Sequence, residues 1–487
     1  MAVFLRERSP SLPQRLRRFS WIGLVGLTIA GTSLWGLRWA RSLHAEPLLQ
    51  PLPQDPYIQA YFNHSEASFY TEPYRHQSRQ GDNLEQVVID AVQSAHESVD
   101  VAVQELRLPG IAIALRERQQ AGVRVRIILE NSYRQPLSEM ASQGTVAMEE
   151  RDRDRFEDAI QIIDQNRDGH LSPEEIAQND ALVILERAGI PILDDRADGS
   201  RGSALMHDKF VVVDGHTLVV GSANFTPSDM HGDFLAPDTH GNANHLLRIE
   251  NRELAQTFSR EFALMWGDGV GKEPDSKFGL QKPYRGPQTV TLAPGSTVTV
   301  QFSPTSPSQN WWVSGNGLIG RTLSQAQQRI DIALFVFSDQ YLSYVLEARH
   351  HEGVSVQALI DANFFSRNYS EGLDMMGVAL PDDRCRIEAG NHPWNEAIAS
   401  VGTPNLPDGD MLHHKFAVVD GTTVITGSQN WSASANQSND ENVLVIHNAT
   451  VAAHFEREFE RLYRDAALGV PLNIQEKIHE QTARCQH

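Results

Sequence analysis

Apolar and polar positions follow one scheme in two windows of the 487-residue chain. "SVDVAVQELRLPGIAIALRERQQAGVRVRIILENSY" from Ser98 lines up with "RIDIALFVFSDQYLSYVLEARHHEGVSVQALIDANFF" from Arg329, at a constant offset of 231. In each, an alternating apolar run predicts a strand. A stretch of helical period, ended by Gly122 or Gly353, predicts a helix, and a second apolar run predicts another strand. "LMHDKFVVVDGHTLVVGSANF" from Leu205 repeats at an offset of 206, and "ENRELAQTFSREFALMW" at an offset of 197. The falling offsets mean that the first half carries two insertions, of 25 and nine residues.

The chain therefore reads as a duplicated α/β unit, joined at the Pro- and Gly-rich stretch Lys282–Ser296. The expected fold class is α/β, with two α/β/α-layer units whose mixed sheets pack about a pseudo-twofold axis. Expected divisions are residues 1–45, a first half over 46–285 with an insertion near 150–185, and a second half over 286–487.

His207, Lys209, Asp214, Gly221, Ser222 and Asn224 recur at identical spacing as His413, Lys415, Asp420, Gly427, Ser428 and Asn430. An apolar run, Asp-Gly and another apolar run predict a two-residue hairpin in both places. With Asp214 and Gly215 as the turn, His207 falls opposite Ser222, and by the same count His413 falls opposite Ser428. Strand alternation puts residues 207 and 209 on one face and 214 on the other. Histidine, lysine and serine are thus expected together at one end of each hairpin, with the aspartate away at the turn. Imidazole, ammonium, hydroxyl and the amide of Asn224 or Asn430 suit phosphate: a nucleophile or acid, a fixed cation and neutral donors. His414 faces away from His413, and Asp208 holds its place in the first half, so His414 is read as structural. Phe225 and Trp431 are read either as cleft lining or as core.

The doubled H-x-K-x4-D-x6-G-S-x-N pattern resembles the signature of the phospholipase D superfamily, over about residues 85 to 465. The resemblance implies one active site at the interface of the halves and a phosphodiesterase that works through a phosphohistidine without a metal cofactor. One motif histidine attacks phosphorus, the other protonates the leaving oxygen, and water then releases the phosphoryl group. It implies His207 as nucleophile and His413 as acid, or the reverse, surrounded by the other motif residues. Glu441 in "NDENVLVI" matches the superfamily's acidic residue that orients a catalytic histidine, but its counterpart at the 197 offset is Asn244. An amide fixes a tautomer without stabilising an imidazolium by charge, so the two histidines are expected to differ in basicity.

Inside the 25-residue insertion, "DQNRDGHLSPEE" places Asp164, Asn166, Asp168, His170, Ser172 and Glu175 at positions 1, 3, 5, 7, 9 and 12 of an EF-hand-like loop, with Gly169 at position 6. It resembles a lone EF-hand, so one calcium ion is expected there, outside the chemistry.

The N-terminus is the compositional outlier. Arg6, Arg8, Arg15, Arg17 and Arg18 precede an uncharged stretch over Phe19–Leu37, long enough to span a bilayer. A membrane anchor with an exported body is expected, against a signal peptide cleaved after Ala45. Residues 46–487 hold 35 Lys and Arg against 61 Asp and Glu, a net of −26. Such a body repels polyanions, and with the anchor it favours a phospholipid substrate. "GSANFT" and "GSQNWS" resemble the superfamily's nucleases and cardiolipin-hydrolysing members, so a nucleic-acid phosphodiester is the second expectation. A phosphatidyl transferase is the third, and a calcium-dependent surface-binding module the non-enzymatic one. A monomer is expected. The two cysteines, Cys385 and Cys485, exclude a disulfide framework and allow one bond that tethers the C-terminal tail.

Overall fold

The structure is a computed structural model that describes residues 49–144, 150–196 and 203–485. The predicted anchor segment lies outside the described residues. Among those described, no helix is long and apolar enough to cross a membrane.

The first half contributes β1 (Ile58–Phe62), β2 (Phe69–Thr71), β3 (Ser78–Gln80), β4 (Ser98–Val103), β5 (Arg124–Leu129), β6 (Ile192–Asp194), β7 (Lys209–Val213), β8 (Thr217–Gly221) and β9 (His245–Glu250). The second contributes β10 (Gln288–Ala293), β11 (Ser296–Phe302), β12 (Arg329–Leu334), β13 (Phe337–Ser338), β14 (Ser355–Ile360), β15 (Val401–Thr403), β16 (Lys415–Val419), β17 (Thr423–Gly427), β18 (Trp431–Ser432), β19 (Asn442–His447) and β20 (Ala467–Leu468). One sheet runs β1-β9-β8-β7-β4-β5-β6; the other runs β10-β11-β19-β17-β16-β12-β14-β15-β20. The order β9-β8-β7-β4-β5-β6 is repeated by β19-β17-β16-β12-β14-β15, which is the duplication read from the offsets. Both sheets are mixed: β4, β5 and β6 run parallel, while β7, β8 and β9 pair antiparallel.

Strand alternation divides the core. Phe210, Val212, Leu218 and Val220 of one sheet join Phe416, Val418, Val424 and Leu444 of the other in a single cluster, together with the helices Arg252–Trp266 and Ala449–Arg464. Val99, Val101, Val211 and Val213 turn outward under the helices Leu84–Gln93 and Pro109–Gln120. A third cluster repeats this outer layer in the second half, under Gln340–His351. The predicted helix stops hold, since Gly122 and Gly353 follow the two crossover helices at φ of 89° and 90°. Residues 208 and 414 share the parity of Phe210 and Phe416, so both side chains point into the core between the halves. Cys385 and Cys485 are bonded, which ties the C-terminal helix Leu472–Cys485 to the second half.

Candidate active site

Backbone that crosses between the halves carries the motif histidines. His207 N donates to Asp440 O at 2.9 Å, and His413 N donates to Ala243 O at 3.1 Å. These contacts belong to two parallel bridges, Met206 with Asp440 and Ala243 with Leu412. Glu441 and Asn244 follow directly after Asp440 and Ala243, so each histidine meets the orienting residue of the opposite half. His207 Nδ1 lies 2.6 Å from Glu441 Oε2, and His413 Nδ1 lies 3.0 Å from Asn244 Oδ1. Asn244 Nδ2 donates to the carbonyls of Asp229 and Asn242, which turns the amide oxygen toward the ring. His413 therefore carries its hydrogen on Nδ1, and its Nε2 is left for chemistry.

The site is buried and cationic. Burial, then the ammonium groups of Lys209 and Lys415, push both histidines well below the ordinary imidazole value. Burial pushes the Glu441 carboxyl up to about 8 against the pull of Lys209. Across their 2.6 Å contact His207 and Glu441 hold one proton between them.

Each lysine donates to the carbonyl of its own motif histidine, Lys209 at 2.8 Å and Lys415 at 2.6 Å. Burial brings Lys209 down to about 8; burial and Lys209 push Lys415 well below the ordinary lysine value. Lys209 also donates to Gln104 Oε1 at 3.3 Å, whereas Lys415 sits 5.0 Å from the centroid of the Phe335 ring. Phe335 packs against His413 as well, at 4.8 Å between ring centroids. Gln104 and Phe335 occupy the same place at the 231 offset. Neither stands out by residue type, and that offset is the signal that marks them as lysine neighbours.

The serines are placed differently from expectation. Val213 pairs with Thr217 and Val419 with Thr423, so each turn has three residues rather than two. Asp214 and Asp420 take left-handed φ of 52° and 51°, as do the glycines after them, and the loop closes one residue later. The register shifts accordingly, and neither serine lies opposite its own histidine. Ser222 Oγ instead donates to Asn244 Oδ1 at 2.7 Å, and Ser428 bonds the Glu441 carboxyl. Each serine thus supports the residue that orients the other half's histidine. Asp214 and Asp420 stay at the turns as expected. The Asp214 carboxylate accepts from the backbone of His96, Glu97 and Ser98, and that of Asp420 from Gln327, Gln328 and Arg329. Asn224 and Asn430 each keep a side-chain oxygen without a partner among the described residues, so their amides can turn to a ligand.

Gly221 and Gly427 precede the serines for a steric reason. A Cβ on Gly221 would lie 2.2 Å from His245 O, and one on Gly427 2.3 Å from Asn442 O. Only a residue without a side chain lets β8 and β17 approach β9 and β19 this closely.

A family model described as "Cardiolipin synthase, PLD-like domain" matches residues 88–266 and 319–463. The chain belongs to the PLD-like family. Among curated proteins it is similar to a mitochondrial cardiolipin hydrolase of Xenopus tropicalis, 32% identical over 145 residues, which are 29% of this chain and 58% of the relative. It is also similar to a phospholipase D of Rickettsia felis, 25% identical over 137 residues, 28% of this chain and 58% of that one. The chain thus spans somewhat over half the length of these relatives. The solved structure of a phosphatidylserine synthase from Haemophilus influenzae Rd KW20 shares the fold across 92% of this chain and 97% of its own, with a TM-score of 0.51 and 13% identity.

Around this PLD-like centre the remaining residues singled out in the sequence find their places. Phe225 and Trp431 are both 1% exposed and belong to the core, not to the cleft. The stretch 225–244, which holds the nine-residue insertion, is substantially buried: His231 bonds Glu85 at 2.8 Å and Tyr70 at 2.9 Å, and Asp229 accepts from Asn224 N at 2.8 Å. Asp229 also lies 3.9 Å from His413, a site residue that its place in an apparent surface insertion hid. His414, with no exposed surface, bonds Glu458 at 3.0 Å and His245 at 3.0 Å.

Residues 164–172 run between the helices Glu150–Ala159 and Pro173–Asn179, and residues 173–175 begin the second helix. Asp164 accepts from the amides of Asp168 and Gly169, Asn166 from Asp168, and Asp168 from His170. Glu175 accepts from Ser172 and caps the second helix. Among the described residues no group of three or more His, Cys, Asp or Glu side chains converges as on a metal.

Proposed function

We propose that the protein is a phosphodiesterase that hydrolyses phospholipid phosphodiester bonds through a phosphohistidine. The observation that carries the reading is the exchange of orienting residues between halves, Glu441 to His207 and Asn244 to His413, which sets two unlike imidazoles in one buried cationic site. His207 is the nucleophile. A ring that bonds phosphorus through Nε2 while keeping its Nδ1 hydrogen becomes a cation, and the Glu441 carboxylate offsets that charge. His413 is the acid. Its amide partner gives a cation no such support, so the proton on Nε2 leaves readily.

In the first step His207 Nε2 bonds phosphorus, the phosphorus–oxygen bond breaks, and the leaving oxygen takes the His413 proton. Water then attacks phosphorus, gives a proton to His413, and the phosphorus–nitrogen bond breaks. Lys209 and Lys415 supply the fixed positive charge for the phosphoryl oxygens. A bound phosphodiester anion beside both rings raises their proton affinity and thereby loads His413.

Activity of the purified protein on phosphatidylcholine, cardiolipin and single-stranded DNA tests the substrate class, and cleavage of DNA alone would overturn it. A diester with a nitrophenol leaving group separates the two histidine roles, because that group departs without a proton. In the burst of nitrophenol release, before water enters, His413→Ala is expected to keep most of its rate and His207→Ala to lose it; the reverse result would exchange the roles.

The N-terminal segment is read as holding the body at a membrane on the extracytoplasmic side, which the Cys385–Cys485 bond suits because disulfides persist in oxidising compartments. Protease accessibility in intact cells tests it. A monomer suffices, since one chain carries both histidines. Calcium at the loop 164–175 rests on the ligand pattern in the sequence and on side-chain oxygens wound over the loop's own amides. Binding would require Glu175 to leave its cap and join Asp164, Asn166 and Asp168.

A further inference from the structure

Between the halves, on the side of β16 away from the cleft, runs a buried chain of polar side chains with defined donors. Arg461 donates to both oxygens of Glu458 at 2.7 and 2.8 Å. Against its burial, Arg461 and His414 hold the Glu458 carboxyl well below the usual range. An anion accepts only, so His414 Nε2 carries hydrogen at this 3.0 Å contact. Burial depresses the basicity of both interface rings, so His414 is neutral and its Nδ1 is bare. The 3.0 Å contact between the Nδ1 atoms of His414 and His245 holds one hydrogen, which must then belong to His245. His245 Nε2 is left as the acceptor for Thr426 Oγ1 at 2.6 Å.

The tautomer of His245 bears on the site. Ser222 Oγ lies 3.3 Å from His245 Nδ1 and 2.7 Å from Asn244 Oδ1. With hydrogen on His245 Nδ1, the single hydroxyl proton of Ser222 has one acceptor, Asn244 Oδ1, the atom that also accepts from His413 Nδ1. The chain from Arg461 to Ser222 thus ends on the hydrogen bond that orients the acid. The first half repeats the layout with groups that need no tautomer. Asp208 stands at the offset place of His414, Asn442 at that of His245 and Glu261 at that of Glu458. Asn442 Nδ2 donates to Asp208 Oδ1 at 2.7 Å.

We propose that His245 and His414 are positioning residues for the acid step, fixing the Ser222 hydroxyl on Asn244 and through it the ring of His413. This rests on the assignment of His413 as acid. The groups facing the pair are Glu458 and Arg461 from the helix Ala449–Arg464, Lys415 from β16, Thr426 from β17, and the rings of Phe62, Phe416 and Phe455.

His245→Asp and His245→Asn test the proposal in the full-length protein. The aspartate variant offers the Ser222 hydroxyl a second acceptor; the isosteric asparagine variant keeps a donor toward His414, as Asn442 keeps one toward Asp208. On a natural diester kcat of His245→Asp is expected to fall about tenfold with KM unchanged, and His245→Asn to retain most of it. In the burst of nitrophenol release, which needs no acid, both variants should match wild type. Equal slowing of both substrates, or an equal loss with asparagine, would overturn the proposal. Nitrogen NMR of the labelled histidine rings gives a readout without turnover. The His413 Nδ1 signal should match wild type in His245→Asn and be shifted in His245→Asp, where Asn244 Oδ1 has lost the Ser222 hydrogen. An unaltered His413 signal in His245→Asp overturns the positioning role even if the protein cleaves no diester, whereas an altered signal without any cleavage counts against the proposed activity instead.

Discussion

Glu441 accepts from His207 Nδ1 at 2.6 Å across the boundary between the halves, while the equivalent contact of His413 is made by the neutral Asn244 at 3.0 Å. The charge difference decides which ring can hold a cation. Glu441→Gln keeps the hydrogen bond and removes the charge. It is expected to lower kcat about a hundredfold with KM nearly unchanged, since the charge is needed only when phosphorus is bonded. Steady-state kinetics check this, and a change confined to KM would contradict it. Asn244→Asp sets a carboxylate oxygen against the carbonyls of Asp229 and Asn242 and is expected to cost about 2 kcal/mol, read from the urea midpoint.

Lys415 and Lys209 are together expected to set the basic limit of activity. Burial pushes Lys415 well below the ordinary lysine value and holds Lys209 at about 8, so kcat/KM is lost by the time pH has risen through about 8 and the Lys209 ammonium has gone. Stability moves the other way. The folded value of Lys209 lies below the ordinary 10.5, so between about 8 and 10.5 the unfolded chain binds the extra proton and stability rises with pH. Below about 8 the cost of burying the ammonium is fully present. Lys209→Met is therefore expected to be more stable than wild type near neutrality, and that advantage should shrink across the window. Denaturant midpoints over the range check it, and an advantage that stays flat would show that the ammonium is not buried.

Gly427→Ala is expected to destabilise by about 3 kcal/mol, because its Cβ would meet Asn442 O at 2.3 Å and its φ is 126°. Thermal unfolding reports the loss. A neutral effect would mean that β17 and β19 do not approach as closely as described.

Calcium is expected to raise the melting temperature of wild type and to leave Glu175→Gln unchanged, since only a carboxylate at position 12 closes an oxygen shell from both sides. Titration calorimetry on the two proteins measures the binding itself. Equal responses would assign the acidic loop to helix capping alone, the role in which Glu175 and Ser172 are found.

The duplication, the strand and helix alternation and both motifs were legible in the chain. They depend on local spacing: an apolar period, a glycine stop, and a residue set repeated at one offset. Two things were not. The register of the β7–β8 and β16–β17 hairpins differs by one residue from the count along the sequence, because Asp214 and Asp420 are held by amides more than 90 residues away, which favours a three-residue turn. The partnership of Glu441 with His207 was also hidden. Glu441 comes 14 residues after Gly427, the end of its own hairpin, and nothing local says that it serves the other one.

By itself the sequence determined which side chains the site contains and that they come in two sets, since strand period and repeated spacing are properties of short segments. Only the tertiary structure decided how the sets are exchanged. The bridges of Met206 with Asp440 and of Ala243 with Leu412 form between strands far apart in the chain, when the apolar faces of both halves close on one core. That closure gives Ser222 to Asn244 and His413, gives Ser428 to Glu441 and His207, and turns His414, an apparent bystander beside His413, into part of the buried chain behind them.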